Sequence, residues 1–410
     1  MSKLERLIQQ YCPDGVEYVP LSSIGTIKRG NGLQKKDFVK TGIGCIHYGQ
    51  IYTKFGLFTD KTLTYVDKEL AEHLLHIEKG DLVIACTSEN VEDVCKAVAW
   101  LGDDSIVTGG HACVLHHNQN PKYIAYFFQT ESFQRQKRKY AYGTKVIDIK
   151  PDSIGKIEIP LPPLPVQEEI VRILDTFTEL QAELQAELQA ELQKRLQQYN
   201  YYCNKLLSQF PSNEGVKEYS VGEIATFTYG YTAKADEIGP IRYIRITDIN
   251  DRGCLNPDNA KYIAKTPDIE PYLMNKGDLV MARTGATFGK TLFFDEDYLA
   301  AYASFLIKIS LNDKVLPRYY WHFTRSVRYW EQADRLVGGG AQPQFNTGAI
   351  SQVKILLPSL EMQQKIVSIL DRFDTLTNDL TSGLPAEMEK RRQQYEYYRD
   401  RLLTFKRKEA

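Results

Sequence analysis

Three stretches of the 410-residue chain bring together residue types that could do chemistry. GATFGKT (285–291) has the glycines, lysine and hydroxyl of a phosphate-cradling loop. Such a loop requires GxxxxGK[ST], and this one is a residue short, so the geometry fails. HACVLHH (111–117) gathers three histidines and a cysteine, but strand alternation sends His111 and Cys113 to one face and His116 to the other, which argues against a shared metal ion. PDSIGKIEI (151–159) offers carboxylates and Lys156, yet Pro151 and Asp152 suit a turn better than a hydrolytic site. No catalytic residue and no metal ligand is assigned. What remains is charge: FQRQKRKYAYGTK (133–145) holds Arg135, Lys137, Arg138, Lys139 and Lys145 among three aromatic residues and no acid. That composition attracts phosphate, the competing reading being a solvated basic helix face.

The elements that would position such a stretch follow from the rest of the chain. Its length suggests two globular regions with connectors, and 43% hydrophobic with 25% charged residues is ordinary globular composition. A formal charge of −1 means that any affinity for a polyanion must come from local patches. No apolar run is long enough to cross a bilayer, and MSKLERLIQQ lacks the apolar stretch of a signal peptide, so a cytoplasmic chain is expected. Seven scattered cysteines form neither a CxxC pair nor a disulfide framework, and reduced thiols are expected.

The chain is written twice. IPLPPLPVQEEIVRILDTF (159–177) returns as ILLPSLEMQQKIVSILDRF (355–373), and KRLQQYNYYCNKLL (194–207) as KRRQQYEYYRDRLL (390–403), both offset by 196 positions. EKGDLVIA (78–85) answers NKGDLVMA (275–282), and GVEYVPLSSIG (15–25) answers GVKEYSVGEIA (215–225). The block order is therefore domain (1–160), helix (161–210), domain (211–356), helix (357–410). Short β-rich runs mixed with helical stretches make the domains α+β.

From Val166 apolar residues fall at helical spacing, and no Gly or Pro interrupts the run to Ser208, which would span roughly 65 Å. The second helix begins after Pro358 and ends near Phe405, with a break expected at TSGLP (381–385). Connectivity makes the two long helices antiparallel, a coiled coil relating the domains by a pseudo-two-fold. The expected pairing residues are Ile170, Leu174, Phe177, Leu180, Leu184, Leu188 and Leu192 against Ile366, Leu370 and Phe373. LIQQYCPDGVEY (7–18) resembles LLSQFPSNEGVKEY (206–219), so the N-terminal segment is expected to fill in the first domain the place that the end of helix one fills in the second.

ELQAELQAELQAELQ (179–193) is a tandem spacer. Each four-residue repeat lengthens a helix by about 6 Å and advances its apolar stripe by about 40°, a stutter that a coiled coil absorbs. A rod between two similar binding domains sets a distance, and duplex DNA is a polymer whose grooves recur at fixed separations. Actin-like or peptide-repeat partners share that geometry, and an amphipathic low-complexity helix is the plainer alternative.

LPPLPVQEEIVRILDTF, the LQAE repeats, KRLQQYNYYCNKLL and their second copies resemble the two helical regions of the DNA-specificity subunit of Type I restriction-modification enzymes. The resemblance spans essentially the whole chain in block order. It implies that each domain is a target recognition domain reading one half of a split, asymmetric double-stranded DNA sequence, with the helices fixing the gap. It further implies docking of two modification subunits, which bring S-adenosylmethionine and methylate adenine, and of two restriction subunits using ATP and Mg. The chain itself would carry no cofactor. No [ND]PP[YF] tetrapeptide, the adenine-gripping motif of amino-methyltransferases, occurs in it, so it is not expected to methylate alone. A fused restriction or modification enzyme and a coiled-coil scaffold binding only proteins are the alternatives.

With that resemblance, further residues become candidate DNA contacts. In the first domain they are Lys35 and Lys36, then His47, Tyr48 and Gln50 of IHYGQIYTK (46–54), Thr87 and Ser88 of CTSENVED (86–93), and Tyr142 and Thr144 beside the basic stretch. In the second they are Tyr231 and Lys234, then Arg245, Thr247, Asp248 and Asn250 of IRITDINDRG (244–253), each of these matched segments being read as a β-rich run ending in short polar residues. Arg283, Thr284 and Lys290 of ARTGATFGK (282–290) are phosphate or guanine contacts. In RLVGGGAQPQFN (335–346), Gln342, Gln344 and Asn346 can read base edges, a plain flexible loop being the competing explanation.

Overall fold

A computed structural model describes residues 1–210, 215–256, 259–338, 343–378 and 383–409. The chain divides into two compact lobes, the first comprising Met1–Ala186 with Met388–Ala410 and the second Glu187–Glu387. Among the described residues no helix is long and apolar enough to cross a membrane.

Each lobe is built round a short central strand from the repeated KGDLV segment. Leu82–Ala85 and Leu279–Ala282 are buried along their whole length, because both faces of their sheets are covered. In the first lobe the sheet order is Phe58–Thr59, Ala97–Trp100, Leu82–Ala85, Ala112–His117, Gly25–Arg29. One face, with Leu82, Ile84, Cys113 and Leu115, packs under the helices Pro121–Phe127 and Glu131–Arg138. The other, with Val83, Ala85, Ala112 and Val114, meets a second sheet that contains the parallel pair Ile43–Ile46 and Ile106–Thr108. The second lobe repeats the plan, with Leu279, Met281, Ile307 and Ile309 on the helical side and Val280, Ala282 and Leu306 on the other. Its parallel pair is Ile241–Ile244 with Ala300–Tyr302. Both lobes are thus α+β.

The 45-residue helix Leu164–Ser208 starts in the first lobe and ends in the second. Its opening turns are anchored by a buried glutamine. Gln167 Nε2 donates to Pro162 O (2.7 Å) and Gln119 Oε1 (3.0 Å), while its Oε1 accepts from the Asn120 N–H (3.1 Å). In the second lobe Gln363 does the same with Pro358 O, Lys314 O and the Leu316 N–H. Two turns further, Asp175 accepts from Lys122 and from the Tyr126 hydroxyl, and Thr178 joins Tyr126 to Tyr395. The positions 196 further along carry the harder version. Asp371 binds Arg318 and His322, Asp374 binds Arg318 and Arg325, and His322 reaches Tyr199. Burial lowers the His322 pKa, so its neutral ring donates from Nε2 to Asp371 and accepts from the Tyr199 hydroxyl at Nδ1.

The second long helix is described as two helices of 19 residues each, Leu360–Asn378 and Leu384–Leu402, in keeping with the break expected at 381–385, of which residues 381 and 382 lie outside the described residues. Other expectations are corrected. Of the expected pairing residues, Ile170 and Leu174 lie in the first lobe's core, and Ile366 and Leu370 in the second's. These apolar faces seat each helix on its own domain as well as facing another helix. Leu180 is 57% exposed, and Leu184, Leu188 and Leu192 are only half-buried. Helix-to-helix contact within the lobes is aromatic: Phe177 against Tyr398 in the first, Tyr202 stacked on Phe373 in the second. The first lobe's contacts run 177 to 398 and 178 to 395, which is antiparallel.

Nor does the N-terminal segment stand in for the end of helix one. That place is taken by the chain's own C-terminal helix, since Tyr395, Leu402 and Leu403 occupy in the first lobe what Tyr199, Leu206 and Leu207 occupy in the second. The helix Lys3–Tyr11 is an additional cover, held by Lys3 on Glu169, and residues 16–18 are stitched to 405–408 by backbone bonds and the Tyr18 hydroxyl. Finally, Cys86 and Cys113, expected as free thiols, are diagonal neighbours on adjacent strands with Cα atoms 6.2 Å apart, and are joined as a disulfide.

The junction network yields a stability prediction. Asp374→Ala leaves the nearly buried Arg325 guanidinium without its carboxylate, and should destabilise the second lobe by about 3–5 kcal/mol, read as a lowered denaturation midpoint. Thr178→Ala, at the matching position of the first lobe, removes only neutral hydrogen bonds and should cost about 1 kcal/mol.

Candidate nucleic-acid interface

The candidate residues are best followed from the strands that carry them. After the strand Ile43–Ile46 the chain turns into the helix Tyr48–Thr53, so IHYGQIYTK is a strand end followed by a helix instead of the expected β-run. His47 caps that helix: its N–H donates to Gln50 Oε1 (3.0 Å) and its Nδ1 accepts from the Gly49 N–H. In the second lobe Ile241–Ile244 leads into the turn Ile246–Asp248, where the Arg245 N–H donates to Asp248 Oδ2 (2.8 Å) and the Arg245 guanidinium closes on the same carboxylate. The two segments therefore do correspond, as matched caps. Asp248 is buried and holds Arg245; it is not a base reader.

In the first lobe a polar and aromatic cluster forms at one end of the central sheet. Rings of His47, Tyr48 and His111 sit in sequence, with centroids 4.6 and 4.8 Å apart, and His111 Nδ1 meets Thr87 Oγ1 at 2.9 Å. Burial, then the charge of Lys35, lowers the His47 pKa, so this ring is neutral near pH 7. Thr87 and Ser88 pair with Ile147 and Asp148, and Asp148 is bridged to Tyr142. Asp148 also grips Arg29 through two hydrogen bonds of 3.0 and 2.6 Å, while Arg29 Nε donates to Gly110 O.

The basic stretch divides by helical face. Arg135, Lys139 and Lys145 project into solvent, as do Lys35, Lys36, Tyr142 and Thr144. Arg138 is exposed but paired with Glu131 at 3.2 Å. Lys137 is the correction: it is 1% exposed, and its ammonium donates to Glu92 O and Val94 O at 2.9 and 3.0 Å, with burial pushing its pKa down to about 8. It ties the helix to the 92–94 loop and cannot reach a phosphate.

The equivalent edge in the second lobe gathers Arg283, Thr284 and Gln344, with Thr284 buried and bridged to Gln344. Two exposed aromatic residues that sequence reasoning missed, Tyr229 and Phe305, flank Arg283, each ring 5.4 Å from its guanidinium carbon. Extending the aligned block GVKEYSVGEIA by four residues would have reached Tyr229, and its counterpart Arg29 in the first lobe. Other candidates serve local structure. Lys290 pairs with Asp251, Asn250 Oδ1 accepts from the Arg252 and Cys254 N–H groups, Asn346 caps the helix Thr347–Gln352, and Tyr231 donates to Asp268. Lys234 and Thr247 are exposed; Gln342 lies outside the described residues. The histidines of HACVLHH go separate ways, His111 to Thr87 and His116 to Asp81, and no described group of three His, Cys, Asp or Glu residues could hold a metal ion.

Comparison with known proteins supplies a frame. The family model for the Type I restriction modification DNA specificity domain matches residues 13–194 and 213–390. A candidate type I restriction enzyme specificity subunit of Haemophilus influenzae is 38% identical over 263 residues, covering 62% of this chain and 65% of that relative. The EcoR124I/EcoR124II specificity subunit of Escherichia coli is 36% identical over 279 residues, covering 62% and 64%. The matches thus span a little under two thirds of those relatives' own length. Among solved structures, a chain described under complex assembly and conformational transition of the type I R-M system superposes with a TM-score of 0.68 at 15% identity, covering 96% of this chain and 98% of that one. The HsdS subunit from Thermoanaerobacter tengcongensis gives 0.51, also at 15% identity, with 96% of each chain covered. These two likenesses are of fold.

The sorting of the basic stretch is testable by titrating duplex DNA at several salt concentrations. Arg135→Ala and Lys139→Ala should weaken binding of all sequences alike and each reduce the salt slope by about one. Lys137→Met should leave both unchanged. Relative to that variant the unsubstituted protein should gain stability as pH rises from about 8 toward the ordinary lysine value, because over that window only the unfolded chain holds the proton.

Proposed function

The chain belongs to the Type I restriction modification DNA specificity family, and from that membership we propose that it is the non-catalytic subunit that reads a two-part duplex DNA target and directs partner methyltransferase and restriction subunits to it. One observation carries the reading. Two lobes with the same junction to the helices, residue for residue at an offset of 196, present different side chains at the same edge of their central sheets. A duplicated scaffold with unlike reading edges suits an asymmetric bipartite site. The regions 1–160 and 211–356 are the two readers, and 161–210 and 357–410 the helical regions that join them.

Partner docking has its own support. Tyr397 on the first lobe's helices and Tyr201 on the second's, each beside a tyrosine that packs on the facing helix, are open to solvent, 60% and 59% exposed. Two equivalent aromatic surfaces match two modification subunits. S-adenosylmethionine, ATP and Mg belong to the partners, which with two restriction subunits complete a cytoplasmic complex.

In this reading the LQAE repeats set the gap between half-sites. Deleting one repeat removes about 6 Å of helix, and base pairs rise about 3.4 Å, so the tolerated gap should change by one or two base pairs with both half-sites intact. Sequencing of methylated adenines in cells carrying the full complex reads gap and half-sites together. Altered half-sites with an unchanged gap would refute the spacer role.

A further inference from the structure

The two sheet edges treat their arginines in opposite ways. Arg29 of the first lobe is neutralised: Asp148 takes both terminal nitrogens and Gly110 O takes Nε. Arg283 of the second lobe is half-buried, and among the described residues no carboxylate pairs with it. Its Nε donates to Ser304 O at 3.2 Å, and the rings of Tyr229 and Phe305 flank the guanidinium. Those rings are 44% and 51% exposed. The three residues sit at the ends of three adjacent strands, Ala225–Tyr229, Leu306–Leu311 and Leu279–Ala282, so the sheet itself fixes their spacing. The first lobe has nothing equivalent, because backbone bonding places Cys86 and His111 where Arg283 and Phe305 stand.

We propose that Arg283, restrained by the rings of Tyr229 and Phe305, reads a guanine in one half of the DNA target. This rests on the proposed function and names the letter that one edge recognises. With Nε bonded to the backbone and two rings each 5.4 Å from its carbon, the guanidinium is restrained in orientation, and its two terminal nitrogens have no hydrogen-bond partner among the described residues. A planar fork of donors matches a planar pair of acceptors, and the O6 and N7 edge of guanine in the major groove is that pair. A phosphate-binding point would gather further cations and backbone donors. Here the neighbours are neutral: Thr284 and Gln344 on the adjoining bridge and Thr347 on the Tyr229 hydroxyl. Lys290, the nearby cation in sequence, is engaged by Asp251.

The test uses the full chain in complex with its methyltransferase partner. The target is first mapped by sequencing methylated adenines. The purified complex is then titrated against duplexes in which each position of both half-sites is replaced in turn. The unsubstituted complex should discriminate about 5- to 150-fold at one guanine. Arg283→Ala should abolish that discrimination and leave the other positions and the gap as they were. Arg283→Lys, which keeps the charge but loses the fork, should abolish most of it, so the result does not depend on the alanine variant folding. Discrimination that survives both variants, a target with no guanine, or an equal loss on every duplex with a shallower salt slope would overturn the assignment to guanine. A complex that binds all duplexes alike would instead overturn the proposed function.

Discussion

Each lobe depends on one buried side chain that ties a domain to the start of a helix. Gln167 and Gln363 are fully enclosed, and each satisfies a carbonyl just before its helix, a second acceptor in the loop before the domain's own helix, and one N–H of that loop. An amide provides both donors and acceptor at one point, which neither a carboxylate nor an ammonium could do without burying charge. The tie fixes the angle at which the helix leaves, and the acid eight residues on, Asp175 or Asp371, repeats it two turns later. These contacts couple the loop before each domain's own helix to the start of the long helix.

The duplication shows which parts of this arrangement are constrained. The glutamine, the acid and the tyrosine that closes the junction recur, while the groups between them change from lysine, tyrosine and threonine to arginine, histidine and aspartate. The second lobe thus joins its domain by ion pairs, with Arg318 and Arg325 also lying against Trp321, and the first largely by neutral hydrogen bonds. At the sheet edges Thr87 and Thr284 recur, but the residues around them diverge. A salt bridge, a cysteine and a histidine in one lobe stand opposite two exposed rings and an unneutralised arginine in the other. Side chains at strand ends can change without disturbing the alternation that buries the sheet, and so they are free to carry different recognition.

The repeat, the long helix and the α+β class were legible because they rest on local pattern: Pro162 and Pro163 stop the strand, and 45 residues of strong helix formers follow without interruption by glycine. The cap at His47 looked like strand because its tyrosines and isoleucine have β propensity, which the cap overrides. Lys137 could have been placed correctly. It lies four residues after the buried Phe133, on the same helical face, whereas Arg135 does not. Strand order was not legible, since pairs such as Ile43–Ile46 with Ile106–Thr108 join short segments some sixty residues apart. Sequence separation likewise hid Cys86 from Cys113, 27 residues on, and Arg29 from Asp148, 119 residues on. Tyr229 and Phe305 were missed for a simpler reason: single aromatic residues at strand ends carry no periodic signal, and only the sheet brings both against Arg283.

The burial pattern of the long helix also explains why a counted repeat can sit in its middle. Its fixed points are at its two ends, Val166, Ile170 and Leu174 in the first lobe's core, and Tyr199, Cys203 and Leu207 in the second's. Between them no LQAE leucine is buried: Leu180 is mostly exposed, and Leu184, Leu188 and Leu192 are half-covered. A change in repeat number therefore opens no core cavity and breaks no buried hydrogen bond. What holds the middle helical is the intrinsic preference of alanine, leucine, glutamine and glutamate, a term that adds per residue and so scales with the number of repeats. Buried anchors at both ends and a middle that contributes no fully buried leucine are the two conditions under which a helix can be lengthened while each domain keeps its fold.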